Sequence, residues 1–183
     1  MTEQKLVERI WKSAEKERRA HLAGHAYKSG DGYYYYYLDG NRVYWTPALY
    51  GEIVEADGLS KCMDDMFEAA YGIECEPHDI PGDKILKAYA KDFNEDAWFV
   101  YRWVFGGLQI KYAVDAIQFF KHSHLWHFAW YRTGAFAFTD DVSDRTMCIL
   151  PVGDMKGTVE KRFANQEAFL KSVGEDRNYD ELC

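Results

Sequence analysis

The sequence predicts an α+β fold, a mixed or antiparallel sheet built from hairpins and packed against four or five helices. Two patterns and their arrangement predict it. Short aromatic and β-branched runs, "YYYYYL", "WFVYRWVF" and "FAWYRTGAFAF" among them, are punctuated by glycine and aspartate turns, as strands and hairpins are. Between them lie stretches whose apolar residues recur every three or four positions, the helical period. The two kinds do not alternate regularly, which argues against a parallel βαβ sheet.

Taken in order, Leu6, Ile10 and Ala14 beside Val7 and Trp11 predict a helix over 3–22, with Thr2 as its cap and Gly24 beyond its end. Residues 32–38 and 42–45 predict a hairpin. Its turn, Asp39-Gly40-Asn41, supplies positive-φ residues, and Pro47 stops the second strand. Leu59, Met63, Met66, Phe67, Ala70 and Tyr71 form the apolar stripe of a helix over 59–71 that Gly72 closes. Asp64 and Glu68 stand four apart on its other side, a like-charge pair that weakens it slightly. Ile85, Leu86, Tyr89 and Phe93 predict a helix over 83–93.

From Ala97 the chain turns aromatic. A mostly buried strand carries one charge, Arg102, and Gly106-Gly107 is expected to close it. Ile110, Val114, Ile117 and Lys121 suit a helix over 108–121. A second hairpin follows, turning at Thr133-Gly134, then a short strand over 146–150 that Pro151 ends. Thr158 caps a last helix over 159–173, with Val159, Phe163, Leu170 and Val173 inward and Gly174 at its end. The acidic tail 175–183 is expected to fray. Seams fall at 74–83 and 94–96. They divide the chain into an α+β unit, 1–97, and an aromatic-rich stretch, 98–174, that extends the same core or forms a second subdomain.

The 183 residues include six Trp, fourteen Tyr and eleven Phe within 48% apolar content, enough to build a core. No apolar run is long enough to cross a membrane, and the first residues lack the apolar region of a signal peptide. Cys62, Cys75, Cys148 and Cys183 form no CxxC pair and read as reduced thiols of a cytoplasmic protein. The net charge of −8 is uneven. Residues 1–30 hold seven Lys/Arg against four Glu, whereas residues 52–96 hold thirteen acids against four lysines. Such a block disfavours nucleic-acid phosphates and favours a basic protein partner, unless it is simply a solvated face.

Candidate chemistry is sparse. His122, His124 and His127 follow the H-x-H-x-x-H spacing of metallo-β-lactamase-like zinc sites. On a strand His127 points away from the other two, and on a helix His122 does, so all three meet only across a sharp turn. A mononuclear zinc hydrolase completed by Asp115 or Asp140 is the enzymatic alternative, against satisfied or surface histidines. Asp140, Asp141 and Asp144 follow a strand, where they serve either a divalent ion or, as turn formers, the backbone. Cys75, His78 and Asp79 suggest a thiol nucleophile or an unremarkable loop thiol. No nucleotide-binding or nucleophile-elbow motif is present, and no cofactor is expected.

In the run 33–37, alternate phenols face opposite sides of the strand. One set can fill the core while the other lies under a helix, on a second subunit or on a partner, tyrosine being enriched at interfaces. Stacking on bases is disfavoured by the neighbouring acids.

In this region the chain resembles the antirestriction proteins of plasmids and phages, of the KlcA/ArdB type. The resemblance rests on Gly32-Tyr33-Tyr34, the turn Asp39-Gly40-Asn41, Val43-Tyr44-Trp45-Thr46-Pro47, Glu55-Ala56-Asp57 and Leu86-Lys87-Ala88-Tyr89-Ala90 before Asn94-Glu95. Asp31 and Asn41 stand where the family has glycines, and the resemblance covers only residues 1–97. It implies a small acidic factor with no catalytic centre, used by a mobile element against a host nuclease system. The expected function is therefore a non-enzymatic inhibitor of a restriction or CRISPR complex, with a homodimer as a further option. Asp64, Asp65, Glu68, Glu74, Glu76 and Asp79 would meet a basic, nucleic-acid-binding host protein, and Tyr34, Tyr36 and Trp45 would anchor the contact.

Overall fold

The computed structural model describes residues 2, 4–9, 12, 26–28, 32–39, 41–50, 72–75, 80–93, 98–102, 106–121, 126–131, 135–150 and 159–180. Residues 4–9 are helical, and three further helices follow: α1 (Asp83–Phe93), α2 (Ile110–Phe120) and α3 (Val159–Ser172). Seven antiparallel strands form the main sheet, in the order β1 (Ala26–Lys28), β2 (Tyr34–Asp39), β3 (Arg42–Thr46), β9 (Arg145–Ile149), β8 (Phe136–Asp140), β7 (Trp126–Tyr131), β4 (Gly72–Cys75). A separate hairpin joins β5 (Trp98–Tyr101) to β6 (Gly106–Gln109). Helices beside an antiparallel sheet make the fold α+β. Because β3 pairs with β9 and β4 with β7, strands from either side of residue 97 share one sheet.

Register explains the core. Tyr36, Tyr44, Met147, Phe138 and Phe128 lie side by side across five strands, so they share a face, and each is at most 1% exposed. The next row adds Ile149 and Phe136, with Leu38 on β2. Against this face pack Leu6, Val7, Leu86, Tyr89, Phe120 and the β5–β6 hairpin through Phe99, Tyr101 and Leu108. Phe128 and Phe136 stack at 5.7 Å, and Tyr101 sits over both. Each fully buried large side chain contributes about 1.5–3 kcal/mol, so this row is the main source of stability. The opposite face is closed with small groups: Val43, Cys148, Ala137 and Ala129 form a row in which none exceeds 2% exposure.

The helix over 83–93 and the two main-sheet hairpins form as expected; the predicted helix over 59–71 lies outside the described residues. Gly106-Gly107 does not close a strand. It opens β6, because a Cβ on Gly107 would stand 3.1 Å from Cβ of Trp98 and 3.2 Å from Cγ1 of Val100. The helix expected from 108 accordingly begins at Ile110. Asn41 is not in the left-handed region: its amide donates to the Tyr112 hydroxyl at 3.2 Å, and a bulge between Tyr37 and Asp39 adjusts the turn. Val173 is 46% exposed rather than inward, since the helical repeat has already ended there. Gly174, with φ of +77°, closes α3 in a Schellman motif: Glu175 N–H bonds Leu170 O, and Gly174 N–H bonds Lys171 O. Nor do residues 175–180 fray. Tyr179 is buried and Asp180 pairs with Arg102.

Candidate functional site

Polar groups on the core face gather at its two ends. At one end the register places Thr46, Arg145 and Asp140 in one row. Asp140, 3% exposed, accepts from Val142 N–H at 3.1 Å, from the Ser143 hydroxyl at 2.6 Å and from Arg145 Nη2 at 2.7 Å. The turn 141–144 is completed by Asp144 at φ +49°, a conformation aspartate tolerates. These aspartates thus build the turn. Burial lowers the Arg145 pKa, and its guanidinium lies 5.4 Å from both the Phe119 and Phe120 rings.

Below that row three phenols converge. The Tyr36 hydroxyl donates to Ala48 O at 3.2 Å and accepts from Tyr50 N–H, which pins the chain after Pro47 onto the sheet. Tyr44 and Tyr50 both bond the Thr46 hydroxyl. Burial raises the pKa of all three, most strongly for Tyr44, so they are neutral donors at physiological pH rather than bases. This answers the tyrosine run on one side: Tyr36 is core, and its hydroxyl is used inside the fold.

At the other end, Asp115 bridges Arg9 at 2.8 Å and Arg42 at 3.0 Å, tying residues 4–9, β3 and α2 together. Arg42 is 6% exposed and lies 4.2 Å over the Tyr112 ring. A buried guanidinium costs much desolvation, and this carboxylate and ring offset it.

The alternative zinc site is not assembled by these groups. Asp115 and Asp140 are held by arginines, and His127 stands at a β7 position opposite Thr139. His122 and His124 lie outside the described residues, among which no metal-binding cluster of His, Cys, Asp and Glu occurs. Cys75 is not a loop thiol; it ends β4, paired with Phe128. Cys148 is buried in the sheet, and burial pushes its thiol up to about 12, which removes it as a nucleophile near neutrality.

The aromatic anchors are not brought together. Tyr36 is fully buried and is withdrawn from any contact surface. Tyr34 is half-buried on the same face, with Lys28 Nζ 5.7 Å from its ring. Trp45 belongs to the opposite face, where it meets Tyr33 edge-on at 5.2 Å.

The acidic block also divides. Asp64, Asp65, Glu68, Glu76 and Asp79 lie outside the described residues, and Glu74 occupies a β4 position opposite Ala129. Towards its end, α1 sets three exposed lysines, Lys84, Lys87 and Lys91, beside the exposed Asp92, and Lys87 engages Asp83 at 3.1 Å. Those three account for all but one of the block's lysines. What remains, residues 52–79, holds nine acids and Lys61, a balance of −8 that equals the net charge of the entire chain. The described element within that segment, β4, ends the sheet and pairs with β7 alone among the described strands.

No family model, curated protein or solved structure matches the chain. Two features escaped sequence reasoning, the Arg9–Asp115–Arg42 bridge and the docking of Asp180 on Arg102. Both join residues more than seventy positions apart, and neither has a local pattern. A lone charge inside an aromatic strand, as Arg102 is, was the available signal for the second.

Proposed function

We propose that this chain is a non-enzymatic interaction protein whose acidic segment, residues 52–79, binds a basic surface that normally holds nucleic-acid phosphates. The reading follows the antirestriction proteins that residues 1–97 resemble: a phage- or plasmid-encoded inhibitor of a restriction or CRISPR complex, acting by occlusion. One observation carries it. The whole net charge resides in one segment, and β4 places part of that segment at the end of the sheet. Asp64, Asp65, Glu68, Glu74, Glu76 and Asp79 supply complementarity, which speeds encounter and fixes orientation. Anchoring by Tyr36 and Trp45 is not part of the proposal. Tyr36 is internal, and Trp45 stands four strand spacings from β4, about 19 Å across the sheet.

The test is survival of an unmodified plasmid in bacteria that carry a restriction or CRISPR complex. Expression of the chain raises survival, and the triple variant Asp64→Lys, Asp65→Lys, Glu68→Lys returns it to the unprotected level while its circular dichroism stays unchanged. A triple variant that protects as well as the parent contradicts the acidic-face mechanism.

A further inference from the structure

β5 has a strand partner, β6, on one side. At its other edge, side chains take the place of a strand. Gln166, 1% exposed, accepts Val100 N–H through Oε1 at 2.8 Å and donates from Nε2 to Val100 O at 3.1 Å. Two residues on, just past the end of β5, Asp180 accepts Arg102 N–H through Oδ1 and Arg102 Nε–H through Oδ2, both at 2.7 Å. Tyr179 precedes it, 5% exposed, with its ring edge-on to Phe99 at 5.7 Å and 87°. The Arg102 guanidinium lies 4.1 Å over Phe163. A cleft of about 200 Å³ runs between α3 and the tail, floored by Phe163, Leu170 and Tyr179.

The two supports differ in kind. Gln166 belongs to α3 and cannot leave without the helix. Tyr179 and Asp180 belong to the six residues 175–180 beyond Gly174, of which Asp176, Arg177 and Asn178 are exposed. We propose that Arg102 and Phe99 form a recognition site for an extended acidic peptide with an aromatic residue immediately before a carboxylate, filled here in cis by Tyr179-Asp180. Arg102 presents one carboxylate with two parallel donors, an arrangement that sets orientation as well as strength. Phe99 supplies the edge-on aromatic partner for the residue before that carboxylate. Tethered seven and eight residues beyond the end of α3, Tyr179 and Asp180 occupy the site at high effective concentration, so a segment from another molecule enters only by displacing them. This site is independent of the acidic segment 52–79.

The probe is a synthetic peptide of residues 175–182 of this chain, titrated by calorimetry. The full-length variant Tyr179→Ala, Asp180→Ala binds it one to one, and the intact chain binds it at least about tenfold more weakly, as cis competition requires. The peptide carrying Asp180→Asn loses about tenfold on the same variant. Should the double variant lose its circular dichroism, the single variant Asp180→Asn takes its place, with the same outcomes expected. Equal binding to variant and intact chain, or none to either, overturns the proposal.

Discussion

Replacing Gln166 by alanine strands both backbone groups of Val100 at a position closed to water. Each buried orphan costs about 1–3 kcal/mol, so Gln166→Ala lowers the unfolding free energy by about 2–4 kcal/mol in a urea titration. Gln166→Glu sets a buried carboxylate against Val100 O, so it costs at least as much as alanine at neutral pH and less as the pH falls and the acid takes up a proton. If alanine is neutral, the amide is not completing the strand. Cys148 makes a second prediction at this scale. Its thiol ionises near 9 when unfolded and is pushed up to about 12 by burial when folded. The folded state thus holds the proton more tightly. Stability from this group is complete below pH 9 and is lost as the pH rises from 9 towards 12. Denaturation midpoints of the parent and of Cys148→Ala, compared at pH 8 and 10.5, show a steeper alkaline decline in the parent. Parallel declines exclude a buried thiol.

At the scale of elements, the β5–β6 hairpin turns on Gly107. A methyl group there must push against Cβ of Trp98, Cγ1 of Val100 and the Phe99 carbonyl, all within 3.1–3.3 Å. Gly107→Ala therefore costs about 1–3 kcal/mol, measured as a lower thermal midpoint, and a neutral substitution contradicts the packing described. The same glycine shows what sequence can and cannot reveal. Elements with a clean period or a turn signal were legible: α1 through Leu86 and Tyr89, α3 with Gly174 beyond it, and the β7–β8 hairpin around Thr133-Gly134. β6 was not, because two glycines read as a break, whereas Gly107 lies too close to Trp98 and Val100 for a side chain. The acidic tail 175–183 reads as frayed in sequence, whereas residues 175–180 are held by Phe99 and Arg102, about eighty positions earlier. Tyr36 shows the limit for the site. Alternation divided the tyrosine run into two faces, but the face that became core was decided by the register with Tyr44 and Met147.

Among the described residues arginines pair with carboxylates of the fold, while along the sequence one sign accumulates in a single segment. Arginines 9, 42, 102 and 145 are each paired with a carboxylate of the fold, at 2.7–3.0 Å. The lysines of α1 face outward, and residues 52–79 keep an excess that matches the net charge of the chain. A net excess of that size attracts a partner of opposite sign, more strongly at low salt. The measurement that tests this most directly is backbone hydrogen exchange of the chain alone and mixed with the restriction or CRISPR complex proposed as its target. The account predicts that binding slows exchange across residues 52–79, β4 included, and leaves the lysine face of α1 unchanged. Slowed exchange around Lys84, Lys87 and Lys91 with none in 52–79 would contradict it.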